Sequence, residues 1–156
     1  MKVNGEHAAQ PGAGSYATAQ RVWQIGDVVE LDLPMAPRLT EPHPRVDAIR
    51  GSLAIERGPL VYCLENADQE PGLDLLDVRI APNARMQAEW QEGLLGGVVV
   101  IETQGALADV SKWRDQLYRP VAAKRLLQRE VPLKAVPYYA WANRGPGTMR
   151  VWIPRS

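Results

Sequence analysis

Leu53-Ala54-Ile55-Glu56-Arg57-Gly58-Pro59-Leu60-Val61-Tyr62-Cys63-Leu64-Glu65 is the stretch that decides the fold. Residues 53–55 read as a short strand, Gly58-Pro59 interrupts it, and residues 60–64 read as another. Working outward, residues 98–103 are β-branched and apolar, the composition of a central strand. Residues 73–80 and 85–90 read as further strands. Upstream, Val29, Leu31, Leu33 and Met35 alternate with Val28, Glu30 and Asp32, the period-two pattern of a half-buried strand. Asn4-Gly5 is a hairpin dipeptide because both residues tolerate positive φ. Residues 16–23 read as a strand with Thr18, Gln20 and Val22 on one face, and Gly26-Asp27 marks the next turn.

Punctuation favours the same class. Gly and Pro number 13 each in 156 residues, about 17% against a usual ~12%. Pro34, Pro37, Pro42 and Pro44 make an extended connector, and a domain boundary is expected near Pro37. Leu107, Val110, Trp113 and Leu117 have the spacing of one helical face, so one short helix is expected there. The last block is read as residues 137–141 and 149–153, two strands of a hairpin around Gly145-Pro146-Gly147. The expected fold is all-β: an antiparallel, jelly-roll-like β-sandwich over residues 37–156, with at most one short helix. A partial sandwich segment over residues 1–36 precedes it.

Eighteen basic residues balance 18 acidic ones, which removes the overall basic footprint of a nucleic-acid binder. The longest apolar run, residues 94–101, is too short to span a membrane. No signal-peptide stretch opens the sequence, so the expectation leans towards a cytoplasmic location. One cysteine, Cys63, excludes an intrachain disulfide and paired-cysteine zinc sites.

Catalytic motifs are missing: there is no phosphate loop, nucleophile elbow or His-Glu-x-x-His helix. His7 and His43 read as surface residues. Cys63, with apolar neighbours, reads as a buried small hydrophobe rather than a nucleophile. Glu56 and Glu65 could form the acid–base pair of a glycoside hydrolase, but exposed or structural roles suit carboxylates better. Tyr138, Tyr139 and Trp141, with Trp152 across the hairpin, have two readings. They could be a platform for sugar rings, with Asn143 and Arg144 as donors. They could also be core, and this is the expectation for Tyr139 and Trp141 because the sequence has no Phe.

Three segments together carry a family resemblance: residues 26–35, residues 56–65, and residues 137–154 with their Pro-Tyr-Tyr-Ala-Trp-Ala-Asn-Arg-Gly-Pro-Gly run. In this order the chain resembles the C-terminal portion of the β-L-arabinofuranosidases of glycoside hydrolase family 127. The resemblance implies a longer parent, with a helical barrel followed by two β-sandwiches, that hydrolyses β-L-arabinofuranosides. The barrel would carry a cysteine nucleophile, a zinc ion and a glutamate acid/base. None of that barrel is in this sequence, so the resemblance assigns no catalytic, cofactor or metal residue here, and zinc is expected only in the barrel. Residues 1–36 would be the end of the first sandwich and residues 37–156 the second, making the chain a fragment. The implied role is to brace the barrel, its partner, inactive on its own. The alternatives are a free-standing carbohydrate-binding module and a small hydrolase using Glu56 or Glu65. Self-association through the incomplete N-terminal segment is a further expectation.

Overall fold

A computed structural model describes residues 1–12, 14–113, 116–120 and 128–156. The chain divides into two compact units, Met1–Pro34 and Met35–Ser156.

In the first unit, β1 (Lys2–Val3), β2 (Glu6–His7) and β3 (Val29–Glu30) form an antiparallel sheet in the order β2-β1-β3. The Asn4-Gly5 hairpin is present, with φ of 52° and 81° at its two central residues. Asn4 also does long-range work. Its Oδ1 accepts the Val28 amide at 2.8 Å, and its Nδ2 donates to Asp27 Oδ1 at 2.7 Å. Two expectations fail here. Residues 16–23 form no strand, and the alternating pattern after Val28 yields only Val29–Glu30. Val29, Leu31 and Leu33 stay at least half exposed. The reason is that alternation specifies a strand only when a second layer covers its apolar face.

The second unit contains β4 (Pro37–Thr40), β5 (Ser52–Arg57), β6 (Leu60–Glu65), β7 (Val78–Ile80), β8 (Met86–Gln91), β9 (Val98–Ala108), β10 (Gln128–Pro137), β11 (Met149–Arg150) and β12 (Ile153–Pro154). All strand pairs are antiparallel and join one sheet, with the path β12-β5-β6-β10-β9-β7. The sheet curls until its ends meet. Ile80 bridges Arg155, and the Ser156 amide donates to the Ile80 carbonyl at 3.0 Å. The all-β antiparallel class is therefore what the chain adopts, with the facing layers belonging to one curled sheet.

Part of the proline connector is itself a strand. β4 pairs with β5 from Pro37↔Arg57 to Thr40↔Ala54, and proline is tolerated because it opens an edge strand. The expected strand over residues 73–80 shrinks to Val78–Ile80. The expected helix does not form as read, since Leu107 lies in β9 and only a 3-10 turn, Ser111–Trp113, follows. Residues 114 and 115 of that expectation lie outside the described residues. The C-terminal hairpin also fails: β11 pairs with β6, and β12 pairs with β5.

The core lies inside the curl. Leu53, Ile55, Tyr62, Leu64, Ile80, Ile101, Leu133 and Ile153 are buried there. Because neighbours in a strand face opposite ways, Cys63 points outward with Val98, Val100 and Val136. A second cluster, with Leu94, Leu95, Met149 and Val151, packs over that outer face. Further along β9 the same face carries Glu102 and Gln104, both exposed. The outer surface thus changes from covered and apolar to open and polar within one pair of residues.

Candidate functional site

The residues singled out at 138–144 sit where β10 ends. Pro137, at φ −57° and ψ 133°, delivers the chain into a 3-10 turn, Tyr138–Ala140. The turn cancels strand alternation, and the small Ala140 takes the buried position. The core reading of Tyr139 and Trp141 is therefore overturned: Tyr139 is 66% exposed, and Tyr138 and Trp141 are 45% and 38% exposed. Tyr138 and Trp141 stack, with centroids 6.1 Å apart and planes 17° from parallel.

The loop behind these rings is stitched down by polar contacts. Asn143 Nδ2 donates to the carbonyls of Ala140 at 3.0 Å and Trp141 at 3.2 Å. Ala142 holds φ 63°, and its amide donates to Glu65 Oε1 at 3.1 Å. Arg144 donates to both oxygens of Asp68, at 2.6 and 2.5 Å, and to Glu65 Oε2. These bonds raise the Arg144 pKa above its usual value, the Asp68 hydrogen bond contributing most. Further on, Asn66 Oδ1 accepts the Thr148 amide at 2.9 Å, and the Asn66 amide donates to the Thr148 carbonyl at 3.1 Å. Gly147 is required for that approach, since a Cβ there would lie 2.5 Å from Asn66 Oδ1. Sequence reasoning found the exposed residues but missed Asn66 and Asp68, which become partners only through the fold.

The carboxylates do not form an acid–base pair. Glu56 accepts Arg38 Nη2 at 2.6 Å. Its cross-strand partner is Val61, and Glu65 lies four residues further along β6, roughly 13 Å at the rise of a strand. Each carboxylate is instead engaged by its own arginine, Glu56 by Arg38 and Glu65 by Arg144, at the two ends of that span. Cys63 is buried, as its sequence context predicts. Burial, followed by the nearby Glu65 and Asp68 carboxylates, pushes its thiol up to about 12. His7 and His43 are exposed. Among the described residues no group of three or more His, Cys, Asp or Glu could hold a metal ion. Glu65 and Asp68 do converge, but on Arg144. The zinc of the resembled family has no fitting ligand set among the described residues.

Fold and site together define an antiparallel β domain that presents an exposed aromatic loop. Residues 37–154 match the model of the glycoside hydrolase family 127 C-terminal domain, and the chain belongs to that family. A non-reducing end β-L-arabinofuranosidase of Bifidobacterium longum subsp. longum is 34% identical across 99% of this chain and 24% of its own length. The crystal structure of a family 127 β-L-arabinofuranosidase from Geobacillus stearothermophilus has a TM-score of 0.80 and 41% identity, over 99% of this chain and 24% of that one. A structure described as a glycoside hydrolase reaches a TM-score of 0.84 at 36% identity, over 99% and 25%. The chain thus spans about a quarter of the length of these relatives.

Proposed function

We propose that this chain serves as the non-catalytic C-terminal β portion of an enzyme hydrolysing β-L-arabinofuranosides, and that its aromatic loop braces the catalytic helical barrel. One observation carries this reading. The rings of Tyr138, Tyr139 and Trp141 are exposed, while Asn143 and Arg144 behind them are consumed in holding the loop. A sugar platform pairs an aromatic face with free donors and acceptors around its rim. An apolar patch on a rigid loop with its neighbouring charges already paired suits a protein surface better. Zinc and the acid/base of the family would be the barrel's contribution.

The test mixes this chain with the Geobacillus relative shortened by its matching C-terminal quarter. Association, with gain or stabilisation of aryl β-L-arabinofuranoside hydrolysis, is expected, and Trp141→Ala should weaken it. No association would overturn the bracing role. Turnover by this chain alone that disappears in Glu65→Gln would overturn the non-catalytic one. The carbohydrate-module alternative requires Trp141→Ala to abolish sugar binding by the isolated chain.

A further inference from the structure

The open, polar part of the outer sheet face forms a groove of about 710 Å³. This is within the range of ligand sites, roughly 300–1,000 Å³. Its floor crosses three strands. Glu102 of β9 pairs in register with Gln87 of β8 on one side and with Lys134 of β10 on the other. The three residues therefore form a row roughly 10 Å across at the spacing of strands. Arg85 and Gln104 extend this polar lining, and Pro132 adds apolar surface. Within the described residues the side chains of Arg85, Gln87, Glu102, Gln104 and Lys134 have no hydrogen-bond or ion-pair partner. The wall residues differ: Asp68 is held by Arg144, and Glu70 by Arg129.

The chemistry of the free groups selects a ligand class. Two cations, one carboxylate and two amides offer donors and acceptors in mixture, with a residual charge of only about one. An anion would want cations alone, and a hydrophobic ligand would leave the amides and the carboxylate unpaired. A chain of neutral hydroxyls fits: each sugar hydroxyl donates and accepts, and its C–H face can rest on Pro132. We infer that the outer-face groove centred on Gln87, Glu102 and Lys134 is a carbohydrate-binding site for a neutral oligosaccharide, separate from the aromatic loop. Asp68 lines the groove and also anchors Arg144, so the groove ends at the base of that loop. The choice of arabinose-containing oligosaccharides as the probe rests on the proposed function. The site itself rests on the groove.

The experiment uses the full chain labelled with nitrogen-15 and titrated with a trisaccharide of β-linked L-arabinofuranose and, separately, with inorganic phosphate. Shifts centred on the amides and side-chain amides of residues 85–87, 102–104 and 132–134 are expected with the trisaccharide. The double variant Gln87→Ala/Glu102→Ala should weaken binding about ten-fold or more, as expected for losing a hydrogen bond to a charged group. Gln87 and Glu102 are exposed and Lys134 is half-buried on the outer face, so the double variant should keep the fold, which the unshifted spectrum of the core checks. Lys134→Ala provides an independent second variant with the same expected direction. Shifts confined to residues 138–144, equal response to phosphate, or no response up to the solubility limit of the sugar would each overturn the site. None of these results bears on association with the shortened relative, so failure here is distinguishable from failure of the bracing role.

Discussion

Arg144 and Asp68 meet in a two-armed ion pair across 76 positions of sequence, Nη1 to Oδ1 at 2.6 Å and Nη2 to Oδ2 at 2.5 Å. Glu65 joins the same guanidinium from the end of β6. The arrangement makes the aromatic loop a fixed part of the sheet end rather than a loose excursion.

Removing the guanidinium should therefore be costly. The side chains of Glu65 and Asp68 are only 8% and 6% exposed, and Arg144→Ala leaves two buried carboxylates facing each other. Breaking a buried pair from one side costs about 3–5 kcal/mol. Urea unfolding followed by tryptophan fluorescence should show a midpoint lowered accordingly. Arg144→Lys keeps the charge but loses the fork and should fall between the two. An unchanged midpoint for Arg144→Ala would show that the clamp is solvated and dispensable.

Alkaline behaviour is set by two buried groups. Burial raises the Cys63 thiol from an ordinary 9.0 to about 12, and burial also raises the Tyr62 hydroxyl above its ordinary 10.0. Between those limits the folded chain keeps protons that the unfolded chain releases. Stability is thus full below about pH 9 and declines as pH rises towards 12, each group contributing at most about 1.4 kcal/mol per pH unit. Cys63→Ala should flatten the decline. A thiol reagent at pH 8 should label the native protein slowly and the unfolded protein at once.

Gly105 lies on the inner face of β9. A Cβ there would stand 2.4 Å from Leu133 Cδ1 and 2.8 Å from the Arg79 carbonyl oxygen. The leucine can move but the backbone cannot. Gly105→Ala should destabilise by roughly 1–3 kcal/mol, the cost of overpacking a core. Shortening Leu133 to Val should recover only part of it. Thermal melts of the single and double variants measure both effects.

In the Met1–Pro34 unit, acid should act through Asp27. The Asn4 side-chain hydrogen bond, with the Gln24 amide second, lowers the Asp27 carboxyl below its ordinary 3.8. A lowered folded pKa gives stability that is present above the unfolded value and lost as pH falls through the folded one. The Val28 amide resonance should therefore leave its folded position below about pH 4. Asp27→Asn should remove that dependence.

The same unit exposes Tyr16, Val22, Ile25, Leu31 and Leu33, and β2 and β3 are the edges of its sheet. Exposed apolar surface beside open edges drives association. The full chain should self-associate with rising concentration, while a Met35–Ser156 chain should sediment as a monomer. Equal behaviour of the two would place the sticky surface elsewhere.

These outcomes trace what the sequence could reveal. Local chemistry was readable: Asn4-Gly5 makes its turn, Gly58-Pro59 separates β5 from β6, and the β-branched run from Val98 makes a long inner strand. Family membership was readable from residues 56–65 and 137–154, which hold the sheet end and its loop. Patterns that depend on a distant layer were not. Val29 and Leu31 alternate well, yet nothing within their unit covers them. Tyr139 and Trp141 alternate too, but the turn after Pro137 rotates them outward. Arg144 was legible as a chemically interesting residue. Its actual task was hidden because Glu65 and Asp68 lie 79 and 76 residues away.

The ring of strands in the second unit closes through Ile153–Pro154 and the two residues that follow, against β5 on one side and Ile80 on the other. These residues come after every other strand of the unit in chain order. A ribosome that has released everything up to Trp152 has released a sheet with a missing stave, its core open between β5 and β7. The nascent domain must then wait, with the Leu53 and Ile80 edges unpaired, until residues 153–156 emerge and join them. The unit's cooperativity is thus entrusted to the short Ile153–Pro154 strand and the two residues after it, so a substitution that breaks their pairing should loosen both sheet ends at once.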